Sequence, residues 1–147
     1  MADEIIYDRG DEKWQYLDIQ TGELKELGHG KDGYFMANIE PLKDLNKRVG
    51  FNTLGFFLVI LGYLRYENRI YINYDILSGL YGLSSATIRK HLSILESHNI
   101  ILRKSDKNEK RYYLVNGGIV FRGNSVQRDE NLQIFMHNAM RLLELKI

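Results

Sequence analysis

The run Tyr74-Asp-Ile-Leu-Ser-Gly-Leu-Tyr-Gly-Leu-Ser-Ser-Ala-Thr-Ile-Arg-Lys-His-Leu-Ser-Ile-Leu-Glu-Ser-His-Asn-Ile-Ile101 constrains the fold more than any other part of the chain. It reads as two helical segments separated by a very short turn. Asn73 or Asp75 can cap the first, which runs to Tyr81 and ends at Gly82. Leu83 is expected as a buried plug between the helices, and Ser84 as the N-cap of the second. That second helix, from about Ser85 to His98, carries Ile88, Leu92 and Leu95 at i, i+4 and i+7, one apolar stripe. Asn99 falls where a left-handed residue closes a helix, and Ile100 where the accompanying apolar contact belongs. The opposite face presents Ser85, Thr87, Arg89, Lys90 and Ser93. These short hydroxyls and cations are the side chains that bond phosphates and base edges.

Two strands are expected next, Ile101–Ser105 and Arg111–Val115, around the polar loop Asp106-Lys-Asn-Glu-Lys110. Residues 85–111 hold seven bases against three acids, a net +4. Lys107 and Lys110 stand at the tip, with Arg103, Lys104 and Arg111 on the strands. The order from Phe51 is helix, short strand, helix, turn, helix, hairpin, which is that of a winged helix-turn-helix. In that motif the N-terminal half of the second helix enters the major groove of duplex DNA. The candidate DNA-binding residues are therefore Ser84, Ser85, Thr87, Arg89, Lys90, Ser93, Arg103, Lys104, Lys107, Lys110 and Arg111.

The flanks complete an α+β expectation. Trp14–Leu27 reads as two short strands around a turn at Gln20–Gly22, followed by a Gly-rich loop at His29–Gly33 and a strand candidate at Tyr34–Ile39. Pro41 suits the first turn of a short helix reaching Val49. Phe51–Tyr66 is apolar on every side and reads as a buried helix with Asn52 or Thr53 near its cap; Arg69–Ile72 reads as a short strand. Leu132, Phe135, Met136, Ala139, Leu142 and Leu143 mark an amphipathic C-terminal helix, able to pair two chains or to cover Phe51–Tyr66 in its own. The expected organisation is an acidic β-hairpin extension over 1–40, a winged helix-turn-helix over 41–123 and the C-terminal helix over 124–147.

Composition narrows the chemistry. A chain of 147 residues is about one domain. It has no Cys, which excludes disulfides, thiolate zinc and Cys nucleophiles and fits a reducing compartment. Its longest near-continuous apolar stretch, Leu54–Leu64, has 11 residues, where a membrane span needs about 20. With no basic region before an apolar core at the N-terminus, a soluble cytoplasmic protein without membrane association is expected. Net charge is +1 but uneven: residues 1–30 hold eight acids and three bases, the remainder 17 bases and 11 acids. A basic body behind an acidic segment allows a nucleic-acid partner.

A catalytic reading finds little support. A metal-assisted Tyr nuclease needs clustered ligands, whereas His29, His91, His98 and His137 are scattered. His91 reads as a solvent-edge residue and His98 as a partner of the helix C-terminal dipole. Asp11-Glu12-Lys13 sits in an acidic run and reads as solvated surface, and His29–Gly33 lacks the Lys-Ser/Thr of a phosphate loop. The tyrosines fall mostly on strand or core positions, where packing with a polar tip is expected. No enzyme activity, metal or cofactor is expected.

Ser84–Ile101 resembles the recognition helix and wing entry of bacterial winged-helix regulators of the MarR and ArsR type. The wider chain resembles the RepL-type plasmid replication proteins of Gram-positive bacteria. The residues that carry this are Asp18-Ile-Gln-Thr-Gly-Glu23, the strand and helix after it, Thr87–Arg103, and Val115-Asn-Gly-Gly-Ile-Val-Phe-Arg-Gly123. The resemblance implies an origin-binding replication initiator without catalysis, working with recruited host replication proteins. A winged-helix transcriptional regulator and a protein-interaction module in a larger assembly use the same element order and stay open here.

Overall fold

The computed structural model of the protein describes residues 4–8, 13–17, 19–26 and 35–145. They belong to two compact units, Met1–Phe35 and Met36–Ile147. The fold is mixed α+β.

The first unit holds an antiparallel sheet of β1 (Glu4–Asp8), β2 (Lys13–Leu17) and β3 (Leu24–Glu26), in that order. Gly22 supplies the positive φ, 72°, at the β2–β3 turn, and Thr21 Oγ1 accepts from the Glu23 N–H at 3.3 Å. The hairpin is the expected one. β1 is an additional strand, in register with β2 from Glu4–Leu17 to Asp8–Lys13; its apolar residues lie inside an acidic run and show no alternation. The Gly-rich loop His29–Gly33 and the pair Asp11–Glu12 lie outside the described residues.

The second unit opens with β4 (Met36–Ala37), shorter than the strand expected over Tyr34–Ile39. Asn38 stops it. Its N–H bonds Ile119 O at 2.8 Å, its Nδ2 bonds Gly118 O at 2.7 Å, and α1 (Ile39–Val49) begins at the next residue. Pro41 sits in the first turn of α1 as expected, and Lys47 and Arg48 in its last turn complement the helix dipole. Arg48 also donates to His98 O at 2.7 Å.

Gly50, at φ 82°, joins α1 to α2 (Phe51–Leu61) and is itself the N-cap. Asn52 and Thr53 stand in the first turn, near the cap as expected, and the Thr53 hydroxyl is buried against α4. The helix is shorter than Phe51–Tyr66 and is not buried all round. Phe56, Phe57, Ile60 and Leu61 point into the core, while Phe51 and Leu58 are 76% and 57% exposed.

A single 3-10 turn, Tyr66–Asn68, leads into β5 (Arg69–Ile70). Asn68 is buried at φ 62°; its amide donates to Val115 O and Val120 O at 2.8 Å each and accepts from the Arg122 N–H at 2.7 Å. Those bonds hold a backbone conformation that Asn tolerates better than most residues. Pairing with Leu114 and Tyr113 ends at Ile70, so the strand expected over Arg69–Ile72 is halved.

Then follow α3 (Tyr74–Tyr81), α4 (Ser85–Ser97), β6 (Ile101–Ser105), β7 (Arg111–Val115), β8 (Val120–Phe121) and α5 (Ser125–Glu144). The sheet order is β5-β7-β6, antiparallel throughout; β8 pairs with β4.

The three-stranded sheet divides two apolar clusters. Ile70, Ile101 and Val115 join Phe57, Ile60, Ile88, Leu92 and Leu95 in the main core. Tyr112 and Leu114 alternate to the other face, where they meet Phe135 of α5 with Tyr71 and Leu102 around them. The C-terminal helix therefore covers the sheet, and not α2. It starts at a capping box in which Asn124 Oδ1 accepts from the Gln127 N–H and Gln127 Oε1 from the Asn124 N–H.

Candidate nucleic-acid interface

The turn between α3 and α4 is built as its residues require. Asn73 Oδ1 accepts from the Ile76 N–H at 3.0 Å, capping α3. Gly82 takes the left-handed conformation, φ 66°, and its N–H reaches Ser78 O. Ser78 Oγ donates to Leu83 O at 2.6 Å, and the half-buried Leu83 packs on the main core. Ser84 Oγ accepts from the Thr87 N–H at 3.1 Å and donates to Thr87 Oγ1 at 2.9 Å. At the far end of α4, the Ile100 N–H bonds Leu95 O and the Asn99 N–H bonds Glu96 O, with Asn99 at φ 60°. That is a Schellman closure, with Leu95 and Ile100 both buried as its apolar pair.

Ile88, Leu92 and Leu95 fix how α4 is rotated, so Ser85, Arg89, Lys90 and Ser93 are exposed. Thr87 is half-buried and tied to Ser84. His91 is not a solvent-edge residue. It lies at i+3 from Ile88, inside the stripe, and is buried. Its Nδ1 shares a hydrogen bond of 2.9 Å with Thr53 Oγ1, and its ring stacks on Phe56 at 5.1 Å. Burial, helped by the Lys90 charge, pushes the imidazole below its ordinary value, so it packs as a neutral ring.

Arg89 and Ser93 of α4 face Arg103 of β6 and Arg111 of β7 across a cleft of about 350 Å³, with Tyr74 and Tyr113 in its walls. Arg89 lies 6.0 Å from the Tyr74 ring, within reach of a cation–π contact. Arg103 pairs with Glu96 at 3.1 Å, and this hydrogen bond and charge hold the guanidinium above its ordinary value. Burial pushes the Tyr113 phenol up, with the Arg103 charge opposing. Neither tyrosine stands among the residues expected from the sequence. The period-2 alternation of β7, which puts Arg111, Tyr113 and Val115 on one face, was the signal for Tyr113.

Not every candidate joins this cleft. Lys104 follows Leu102 onto the face of β6 that looks towards α5. Lys110 lies over the Tyr71 ring at 5.0 Å, and Lys107 stands beside Arg69 and Ser105 in a separate surface hollow. The loop that carries them is organised by Asp106. Its Oδ1 accepts from the Asn108 and Lys110 N–H groups at 2.9 Å each, and its Oδ2 from the Tyr71 hydroxyl at 3.1 Å. Desolvation raises this carboxyl, but the three donors outweigh it and leave it below its ordinary value.

Among the described residues no group of three or more His, Cys, Asp or Glu could hold a metal ion, and no helix is long and apolar enough to cross a membrane. No curated protein and no solved structure matches the chain. The family model described as Firmicute plasmid replication protein (RepL) matches residues 8–141, most of the chain. The chain therefore belongs to the RepL family of Firmicute plasmid replication proteins.

Proposed function

We propose that the protein is a non-catalytic replication initiator that binds duplex DNA in a sequence-specific way at its plasmid's origin, in the cytoplasm. In this reading α2, α3, α4 and the β6–β7 hairpin form a winged helix-turn-helix. The exposed N-terminal half of α4, with Ser84, Ser85, Thr87, Arg89, Lys90 and Ser93, enters the major groove. Arg103 and Arg111 neutralise the adjoining backbone, and Lys104, Lys107 and Lys110 reach flanking phosphates from the wing. The observation that carries the reading is the cleft in which arginines of α4, β6 and β7 converge. With no nucleotide hydrolysis proposed, duplex opening falls to recruited host replication proteins.

A single recognition helix reads few base pairs, and a twofold pair reads two half-sites about 34 Å apart. We infer pairing through α5. Phe135 is consumed by the sheet, but Met136, Met140 and Leu143, at i, i+4 and i+7, are 65%, 57% and 62% exposed. Replication is tested with a plasmid carrying only this gene and its flanks in a Firmicute host. It is expected to persist, and to be lost when Arg89 is replaced by Ala. Persistence without an intact gene contradicts the proposal.

A further inference from the structure

A second cleft, of about 500 Å³, opens beside Tyr74. Tyr74 lines this cleft and the arginine cleft both. Its floor is apolar and buried, made by Ile60 of α2, Ile70 of β5 and Leu77 of α3. Tyr63 and Tyr71 add aromatic edges. This size and lining suit a small molecule that is mostly apolar and held by a few polar groups.

The rim decides the charge of the occupant. Arg65 and Lys110 both line the cleft, and their cationic groups lie 4.8 Å and 5.0 Å from the centre of the Tyr71 ring. Among the described residues neither is in an ion pair. Asp75 is the carboxylate on the rim, and it stands in the first turn of α3, where the helix dipole favours an acid. Asp106, the other carboxylate beside Tyr71, is outside the lining and already takes three donors, the Asn108 and Lys110 N–H groups and the Tyr71 hydroxyl. Arg65 and Lys110 are therefore the charges left to meet an occupant. We propose that this cleft is a binding site for a small planar aromatic anion, its rings on the apolar floor between the tyrosines and its acidic group against Arg65 and Lys110. Stacking favours a flat ring system, and charge-assisted hydrogen bonds favour an acid over a neutral analogue. Because Tyr74 is shared, an occupant would touch a wall of the proposed DNA interface.

The test is an NMR titration of the full chain with naphthalene-2-sulfonate, in the absence of DNA, so that its outcome does not depend on the DNA reading. Saturable one-to-one binding is expected, with the largest shifts at Ile60, Ile72 and Tyr74. The neutral naphthalene-2-sulfonamide should bind more weakly. The double variant R65Q/K110Q should keep the dispersed spectrum of the wild type, since both side chains are exposed, and lose about tenfold in affinity. Shifts centred on Met136–Leu143, binding that does not saturate, or equal affinity of wild type and double variant would each overturn the proposal. A variant that loses its dispersed spectrum is replaced by K110Q alone, for which weakened binding is again required.

Discussion

Asn131 of α5 and Gly117, in the turn after β7, lock the C-terminal helix to the sheet. Asn131 Oδ1 accepts from the Gly117 N–H at 2.7 Å while its Nδ2 donates to Val115 O at 2.9 Å. A Cβ on Gly117 would stand 2.7 Å from that same oxygen. Asn99 and Asn138 extend the lock: Asn99 Nδ2 donates to Phe135 O at 2.9 Å, and Asn138 Nδ2 to Asn99 Oδ1 at 2.7 Å. Gly117→Ala must displace a buried amide, and Asn131→Ala leaves the buried Gly117 N–H unpaired while Val115 O keeps its bond from Asn68 Nδ2. Each is expected to cost about 1–3 kcal/mol, read from the shift of the denaturant midpoint. Unchanged midpoints would show that the Asn131–Gly117 contact contributes nothing to holding α5.

The Thr53–His91 pair sets a pH dependence. His91 has a lowered value in the folded chain, so below about pH 6.5 the unfolded chain takes up a proton that the folded one refuses. Its contribution is fully present above that pH and is lost as pH falls towards the folded value. His91→Gln should remove this component. The stability difference between wild type and variant should therefore narrow between about pH 8 and pH 5. A difference that stays constant over that range contradicts a neutral buried His91.

Much of the second unit was legible. The Gly82-Leu83-Ser84 turn, the Asn99–Ile100 closure and the bounds of β6 and β7 follow from capping chemistry and alternation, which are local. His91 was legible in position, at i+3 from Ile88, but its polarity argued against burial. What satisfies it is Thr53, which stands 38 positions away, and no local pattern reveals such a partner. The apolar residues of α5 form a stripe too wide for one contact. The sheet takes Phe135 and leaves Met136 and Leu143 outside, a division that depends on where the sheet lies. In the candidate interface the α4 residues were read from the helix face alone. Tyr74 enters only because α3 is folded against α4.

Arg89 and Lys90 are exposed, so Arg89→Ala and Lys90→Ala should leave stability within about 0.5 kcal/mol of wild type. Arg89→Ala should weaken specific duplex binding by about 1–3 kcal/mol if it reads a guanine. Lys90→Ala should weaken all duplexes alike if it meets phosphate. Fluorescence anisotropy with cognate and scrambled duplexes separates the two effects. Equal binding by wild type and both variants would remove α4 from the interface.

Binding should also weaken steeply with salt, the log–log slope falling by about 0.9 for each phosphate contact. Replacing Lys107 and Lys110 by Gln should flatten the slope without altering sequence preference. A slope unchanged in the double variant would place the wing tip off the DNA.

Glu at Met136 and Met140 tests pairing without touching the core, since both side chains are exposed. The variant should sediment as a folded monomer and bind a two-half-site duplex more weakly than wild type. A monomeric wild type at the same concentration would remove the dimer.

The most direct test of the whole reading is a nuclease footprint of the protein on its own coding region and flanks, wild type beside Arg89→Ala. One discrete protected tract is expected with wild type, and none with the variant at the same concentration. No discrete tract for wild type, or the same tract protected equally by Arg89→Ala, would contradict the proposal that the arginine cleft of α4 and the wing reads duplex DNA.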